Sequence, residues 1–379
     1  MLTSGLNIDI GPLLLIFVAA LLFVLAATPL VRRLAHRYNV VDMPSARKIH
    51  ASPVPLLGGA AIYLAVIAAL LLYGHLGYVQ QMASILIGAT IMSMLGIWDD
   101  KWGLRPIAKL AAQVVAASLL YFTGVSVSFL HNDILNFAAT VGWVVTVTNA
   151  LNLMDTMDGL AGGVAMVASV FFFLIATLTD QYLVAPLAAV LVGACAGFLF
   201  YNLNPASIFM GDAGSLFLGF MLAAVGIKLR FPENLDIVTW MVPVLVLGVP
   251  LFDTALVTLS RIRRGIPITR GGRDHLSHRL VALGFTRREA VLILYLIQGA
   301  LGVAALVVMQ ATVLEGYIVG LVVLATAVAG AYRLEQVDLT HTNPAPEGAP
   351  APMPLSARLH RFRKRPAPQP APQDVKRKV

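Results

Sequence analysis

Four groups of polar side chains interrupt an otherwise apolar chain, and their types suit phosphates and a hard cation. The first is Asp99 and Asp100 in GIWDDKWGLRPIAKLAAQ, followed by Lys101, Arg105 and Lys109. Adjacent carboxylates repel, so their proton affinity rises unless a cation balances them. Beside ammonium and guanidinium groups, such a pair can activate a phosphate oxygen or assist a metal. Two solvated acids at a helix end are the plainer alternative. The second group lies in TNALNLMDTMDGLAGG, residues 148–163, which carries Asn149, Asn152, Asp155 and Asp158. The three-residue spacing of Asn152, Asp155 and Asp158 places them along one side of a continuing helix, an edge fit for a cation or a ribose. The alternative is a polar helix end that caps the next span.

Asp212 stands between Gly211 and Gly214 in NPASIFMGDAGSLFLG, residues 204–219, with Ser215 following. An acid at a helix start could hold Mg²⁺ while the exposed backbone N–H groups face phosphate oxygens. It could equally be a simple N-cap. The fourth group, RRGIPITRGGRDHLSHRL, contains Arg263, Arg264, Arg270, Arg273, His275, His278 and Arg279. Guanidinium groups bind phosphates through two parallel hydrogen bonds, and imidazoles can add further ones. Zinc would call for cysteines or an HExxH pattern, whereas the single Cys195 sits in an apolar run. Asp253 is isolated within GVPLFDTALVTLSR, where an acid either serves a functional site or pairs with a donor on a neighbouring helix.

The elements that must position these groups are membrane helices. Of 379 residues, 58% are hydrophobic and 12% charged, with mean hydropathy +0.81. Soluble domains carry about a quarter charged residues. Apolar runs near the length needed to cross a bilayer recur at about 11–31, 54–73, 80–97, 105–124, 136–153, 159–178, 183–201, 212–230, 237–259, 289–309 and 312–332. The fold class is therefore all-α, a polytopic integral membrane protein of about eleven spans. The first run has no basic residue before it and is followed by ten more, so it is expected to be a span and not a cleaved leader. Segments 32–53, 98–109, 260–288 and the tail from Arg333 hold 25 of the 27 basic residues, leaving only Lys228 and Arg230 on the other side. Short basic loops resist translocation, which puts the N-terminus outside and the C-terminus in the cytoplasm. The net charge of +8 is thus a topology signal and implies no nucleic acid. All four polar groups fall on the cytoplasmic side of this scheme. Residues 1–333 form the transmembrane domain, and 334–379 form a Pro/Ala-rich basic tail expected to be disordered.

These four elements, together with DMPSARKIHASPVPLLGG at residues 42–59, resemble in type and order the polyprenyl-phosphate N-acetylhexosamine-1-phosphate transferase family, over roughly residues 42–300. The resemblance implies a multi-pass enzyme of the plasma membrane with its site on the cytoplasmic face. It would transfer a sugar 1-phosphate from UDP-N-acetylhexosamine to undecaprenyl or another polyprenyl phosphate and release UMP, starting a glycan such as teichoic acid or lipopolysaccharide. It implies Mg²⁺, with Mn²⁺ as the alternative ion, held by Asp212 and Asn152. Asp99 would deprotonate or orient the lipid phosphate, with Asp100, Asp155, Asp158 and His275 completing the catalytic set. Lys48, His50, Lys109, Asn149, Arg273 and His278 would bind substrate. A homodimer and membrane lipids complete the expected partners. Two positions depart from the family pattern: Thr156 replaces a glycine, and Ser277 replaces the third member of a histidine cluster. The chain carries no consecutive histidine triplet, which favours a UDP-N-acetylglucosamine donor over UDP-N-acetylmuramoyl-pentapeptide. A transporter coupled through Asp253 is the rival from another class.

Overall fold

A computed structural model describes residues 8–43, 53–73, 78–231, 234–269 and 272–339. Lys48, His50, Arg270 and the tail from residue 340 lie outside these segments. The helices are α1 (Ile10–Arg37), α2 (Gly58–Tyr73), α3 (Val79–Trp102), α4 (Pro106–Phe122), α5 (Asp133–Met154), α6 (Leu160–Leu178), α7 (Val184–Asn202) and α8 (Gly211–Lys228). They continue with α9 (Asp236–Thr239), α10 (Met241–Val246), α11 (Gly248–Arg263), α12 (Leu276–Ala282), α13 (Arg287–Gln310) and α14 (Val313–Glu335). A short antiparallel ribbon pairs β1 (Val41–Asp42) with β2 (Val54–Pro55).

Among the described residues eight helices are long and apolar enough to cross a membrane, and α2 and α4 are apolar but shorter. The chain is an integral membrane protein. Ten of the eleven expected spans each coincide with one helix, and the remaining one, near 237–259, is broken into α9, α10 and α11. The break before α11 has a chemical cause. Pro250 has no N–H, so the Val246 carbonyl four residues earlier loses its helical donor. Gln298 of α13 replaces it: its Nε2 donates to Val246 O and its Oε1 accepts from Val249 N at 3.3 Å. A fully buried glutamine thus repairs the backbone where water cannot.

The centre of the bundle is α8, which packs against α2, α3, α5, α6 and α7. Of its apolar window 83% is buried, against 6% for α14 at the periphery. Its sequence, GDAGSLFLGFMLAAVGIK, is apolar all round and rich in small residues, as a helix enclosed by other helices requires. The close contacts come from glycines on its neighbours. A Cβ at Gly59 of α2 would lie 2.0 Å from Gly214 N, and one at Gly96 of α3 would lie 2.3 Å from Ala213 N. Both obstacles are backbone, so no side-chain rotation can relieve them. Gly96→Val is therefore expected to push α3 off α8 and to reduce stability by about 1–3 kcal/mol or more. The thermal midpoint of the purified protein in detergent, followed by size-exclusion chromatography, measures the effect.

Candidate active site

Asp212 is placed by a cap supplied from another helix. Asp100, near the end of α3, accepts from Asp212 N at 2.8 Å through Oδ1 and from Ala213 N at 3.1 Å through Oδ2. These N–H groups belong to the first turn of α8, which has no partner within its own helix. Gly211 lets the two helices meet: its φ is +69°, and a Cβ there would lie 2.5 Å from Asp100 Oδ2 and 2.4 Å from Leu56 O. Two sequence expectations are corrected here. Asp212 is not the N-cap, and the first N–H groups of α8 do not face a phosphate, because a carboxylate already occupies them. Asp100, grouped by sequence with the catalytic acids, has both oxygens committed to holding α8.

The same cap brings Asp99, one residue earlier, beside Asp212. Lys109 of α4 lies between them, 2.5 Å from Asp212 Oδ2 and in contact with Asp99 Oδ2. Asp99 also accepts from Leu104 N in the turn between α3 and α4. Asn152, in the last turn of α5, donates to Asp212 Oδ1 at 3.0 Å and to Ser215 Oγ at 2.9 Å. Four helices thus contribute Asp99, Lys109, Asn152 and Asp212 to one connected cluster. The residues suit a divalent cation of the oxygen-seeking kind. Two carboxylates from different helices already converge on one positive charge, and an amide carbonyl is within reach by rotation of the Asn152 side chain. Among the described residues no three acidic, cysteine or histidine side chains group so that they alone could hold a metal ion. An open site completed by water and substrate phosphates is what Mg²⁺ characteristically uses.

The acidic loop after α5 departs from the expected helix face. α5 ends at Met154, Asp155 is its C-cap, and Gly159 at φ +77° opens α6, so Asn152, Asp155 and Asp158 do not lie along one continuous helix. Asp158 turns towards the end of α7, where its Oδ2 accepts from Asn204 Nδ2 at 2.9 Å and Ala206 N at 3.0 Å. Asn202 accepts from Gly159 N at 3.0 Å, fixing the same loop. Asp155 remains next to the cluster. Burial, then the charges of Asp212 and Asp158, push its pKa up to about 7. Asn149, expected at the substrate, instead exchanges amide hydrogen bonds with the buried Gln113 of α4 at 2.6 and 3.3 Å. It ties α4 to α5 and so helps to place Lys109 beside Asn152. Gln113 was missed by sequence reasoning, although a glutamine inside an apolar run is itself a signal. So were Arg288, which donates to Asn204 O at 2.7 Å, and Tyr295, which donates to Gly159 O.

The arginine and histidine segment is built largely on internal bonds. Arg261 grips Asp274 through two nitrogens at 2.9 and 2.8 Å, and Arg264 reaches the same carboxylate at 3.0 Å. Burial opposes ionisation of Asp274, but the Arg261 guanidinium outweighs it and holds the carboxyl below its ordinary range. Arg279, also buried, donates to Asp274 O, Ser260 Oγ and Leu334 O. These three arginines hold the segment in place. His275 Nδ1 lies 2.8 Å from Asp253 Oδ2, so the acid within the membrane region does pair across helices. His278 is pushed down to about 4 by burial, then by the charges of His275 and Arg273. It is therefore neutral at physiological pH. The two departures from the family pattern meet: Thr156 Oγ1 lies 2.9 Å from Ser277 Oγ. This hydroxyl pair connects the acidic loop to the histidine segment.

A model of glycosyl transferase family 4 matches residues 82–230, the part that contains Asp99, Asp100, Lys109, Asn152, Asp155, Asp158 and Asp212. The chain is 37% identical over 307 residues to the probable undecaprenyl-phosphate N-acetylglucosaminyl 1-phosphate transferase of Bacillus subtilis (strain 168), covering 78% of this chain and 85% of that protein. It is 33% identical over 335 residues to the decaprenyl-phosphate N-acetylglucosaminephosphotransferase of Mycobacterium leprae (strain TN), covering 79% and 84%. A phospho-N-acetylmuramoyl-pentapeptide-transferase of Streptococcus uberis (strain ATCC BAA-854 / 0140J) is 34% identical over 230 residues, covering 54% of this chain and 66% of that protein.

The position of Asp155 would make the binding of a divalent cation at this cluster depend on pH. Its raised pKa keeps it protonated below about 7 and anionic above, and only the anion attracts a divalent cation. If the cluster holds Mg²⁺, its affinity should rise with pH through that value, by up to about tenfold per pH unit where one proton is released per ion. Calorimetric titration of the purified protein measures this slope, and Asp155→Asn should flatten it.

Proposed function

The chain belongs to glycosyl transferase family 4, the polyprenyl-phosphate sugar-1-phosphate transferases, and on that premise we propose that it moves N-acetylglucosamine 1-phosphate from UDP-N-acetylglucosamine to undecaprenyl or another polyprenyl phosphate. The observation that carries this reading is the cluster of Asp99, Lys109, Asn152 and Asp212, drawn from four helices to one end of the bundle. A site at one end suits an acceptor that lies in the bilayer and a donor that arrives from water. A transporter would place its polar groups near the bilayer midplane. The names of the Bacillus subtilis and Mycobacterium leprae relatives, each matched over more than three quarters of this chain, support N-acetylglucosamine over the muramoyl pentapeptide of the relative matched over 54%.

In the reaction an oxygen of the lipid phosphate forms a bond to the phosphorus that bears the sugar. The bond from that phosphorus to the bridging oxygen breaks, and UMP leaves with the electron pair. Such transfers need positioning and charge neutralisation more than covalent assistance. Asp99 sits where it can orient the lipid phosphate or take its last proton. Lys109, held between Asp99 and Asp212, supplies a positive charge to the reacting phosphates. Asp212 and the Asn152 carbonyl are the residues that would hold Mg²⁺. When bound there, the ion neutralises the diphosphate of the donor. Asp155 and Asp158 are assigned to the nucleotide side, and Arg273, His275 and His278 to steadying the phosphates. Lys48 and His50 are assigned to substrate phosphates. In the membrane, α9 to α11 together make one crossing, which gives eleven crossings with the N-terminus outside and the site facing the cytoplasm. With a donor supplied from the cytosol, the reading assigns the enzyme to the plasma membrane.

Purified protein given Mg²⁺, undecaprenyl phosphate and a panel of UDP-sugars should release UMP with UDP-N-acetylglucosamine and not with UDP-N-acetylmuramoyl-pentapeptide. Asp212→Ala should lower turnover by about 100-fold or more, the scale of losing a principal charge-stabilising group. Wild-type turnover in that variant, or no UMP from any donor, overturns the reading.

A further inference from the structure

Asp253 lies in α11 and is only 2% exposed. Its two oxygens serve two donors on one short segment: Oδ2 faces His275 Nδ1 at 2.8 Å, and Oδ1 accepts from Leu276 N. That segment does not need a carboxylate to hold it. The Arg261 and Arg264 pairs with Asp274 anchor it on one side, Arg279 anchors it below, and the Ser277–Thr156 pair anchors it to the acidic loop. The Leu276 N–H could be satisfied by any hydroxyl or amide oxygen. A buried ionisable acid is a costly choice for a task a neutral group could perform. What a carboxylate alone provides is a face that only accepts hydrogen bonds. Opposite such a face, the imidazole must carry a proton on Nδ1.

We propose that Asp253 is a positioning residue for the transfer reaction: it keeps the His275 proton on Nδ1 and leaves Nε2 as the ring nitrogen that meets the substrate phosphates. The inference rests on the role given to His275 above. With Nδ1 committed, Nε2 can take up or give a proton while the ring orientation stays fixed by Asp253 on one side. The chemistry expected of Nε2 is to accept the proton of a phosphate hydroxyl. The imidazolium so formed, balanced by Asp253, then donates from Nε2 to a phosphate oxygen, whereas a neutral ring locked as Nε2–H can take up no proton there.

Asp253→Asn separates this role from anchoring. The asparagine Oδ1 can still accept from Leu276 N, but its NH₂ then faces Nδ1. An amide cannot exchange its donor for an acceptor, whereas a neutral imidazole can move its proton, so the ring is forced to the Nε2–H form. UMP release should show kcat lowered about 10- to 100-fold, a fraction of what a positioned acid–base group contributes, with KM changed less than about twofold. Asp253→Glu, which keeps the acceptor-only face, should recover part of the loss. In a His275→Ala background, adding Asp253→Asn should cost less than about twofold, because the group it acts through is gone. A full additional loss in that background marks a merely structural role and overturns the proposal, as does wild-type kcat in Asp253→Asn. If His275→Ala itself turns over at the wild-type rate, the role of His275 fails and takes this inference with it. A measurement on the unaltered protein guards against misfolding of the variants. Long-range proton–nitrogen NMR of ¹⁵N-histidine-labelled protein, assigned with His275→Gln, should find Nδ1 of His275 protonated, and a bare Nδ1 overturns the proposal.

Discussion

The bond from Asp100 to the start of α8 is the constraint on which the site depends. A helix that begins inside a packed membrane bundle exposes N–H groups that neither lipid nor apolar side chains can satisfy. Among its neighbours, α3 supplies a carboxylate whose two oxygens meet two successive N–H groups. Once that contact is made, the relative height and rotation of α3 and α8 are set. Asp99 must then lie next to Asp212, because each adjoins a residue in the cap. Gly211 and Gly96 are the permissive half of the arrangement, since a side chain at either would separate the two backbones. The acid pair in the sequence thus divides its labour: Asp100 holds the geometry, and Asp99 faces Lys109 and Asp212.

The concentration of negative charge that results needs a counterpart. Asp99 and Asp212 carry oxygens close enough to share one ammonium, and Lys109 provides it. Like charges so placed cannot all remain ionised without such a cation. The same geometry explains why the cluster lies at the ends of α3, α5 and α8 and near the beginning of α4. Helix ends bring backbone donors, turns and long side chains within reach of water, whereas the midplane would leave three acids without solvation.

Much of this was legible from the chain. Apolar runs located ten helices, and the clustering of Asp99, Lys109, Asn152 and Asp212 follows the sequence groups that were singled out. What escaped was the direction in which each polar group is used. The three-residue spacing of Asn152, Asp155 and Asp158 assumed a continuing helix, but α5 stops at Met154 and Asp158 is captured by Asn204 and Ala206. Spacing arguments hold only while the helix does. Asn149 looked like a ligand because it belongs to an acidic and amide-rich stretch, yet its partner Gln113 stands 36 residues earlier. The arginines of the histidine segment looked like phosphate binders, and two of them, Arg264 and Arg279, proved to belong to its framework together with Arg261. A guanidinium has the same appearance in sequence whether it binds a substrate or a neighbouring aspartate. The ninth span read as one helix because its residues are apolar. Pro250 disrupts it, and the compensating Gln298 lies in a helix that no local reading connects to it.

The contrast between Gln298 and Asp253 shows how buried polar groups in this bundle can be told apart. Gln298 meets the Val246 carbonyl that Pro250 leaves without a donor and the first-turn N–H of Val249, and the two ends of its amide supply a donor to one and an acceptor to the other. Its identity is fully explained by the backbone it repairs. Asp253 meets one backbone N–H, which explains an acceptor but not a carboxylate. The unexplained part of its chemistry is directed at an imidazole, and that imidazole belongs to the segment joined through Ser277 and Thr156 to the loop of Asp155. A backbone can account for a polar atom; it cannot account for a charge beyond what the backbone requires. Where such a charge persists inside a membrane protein, the group it faces is the place to look for function.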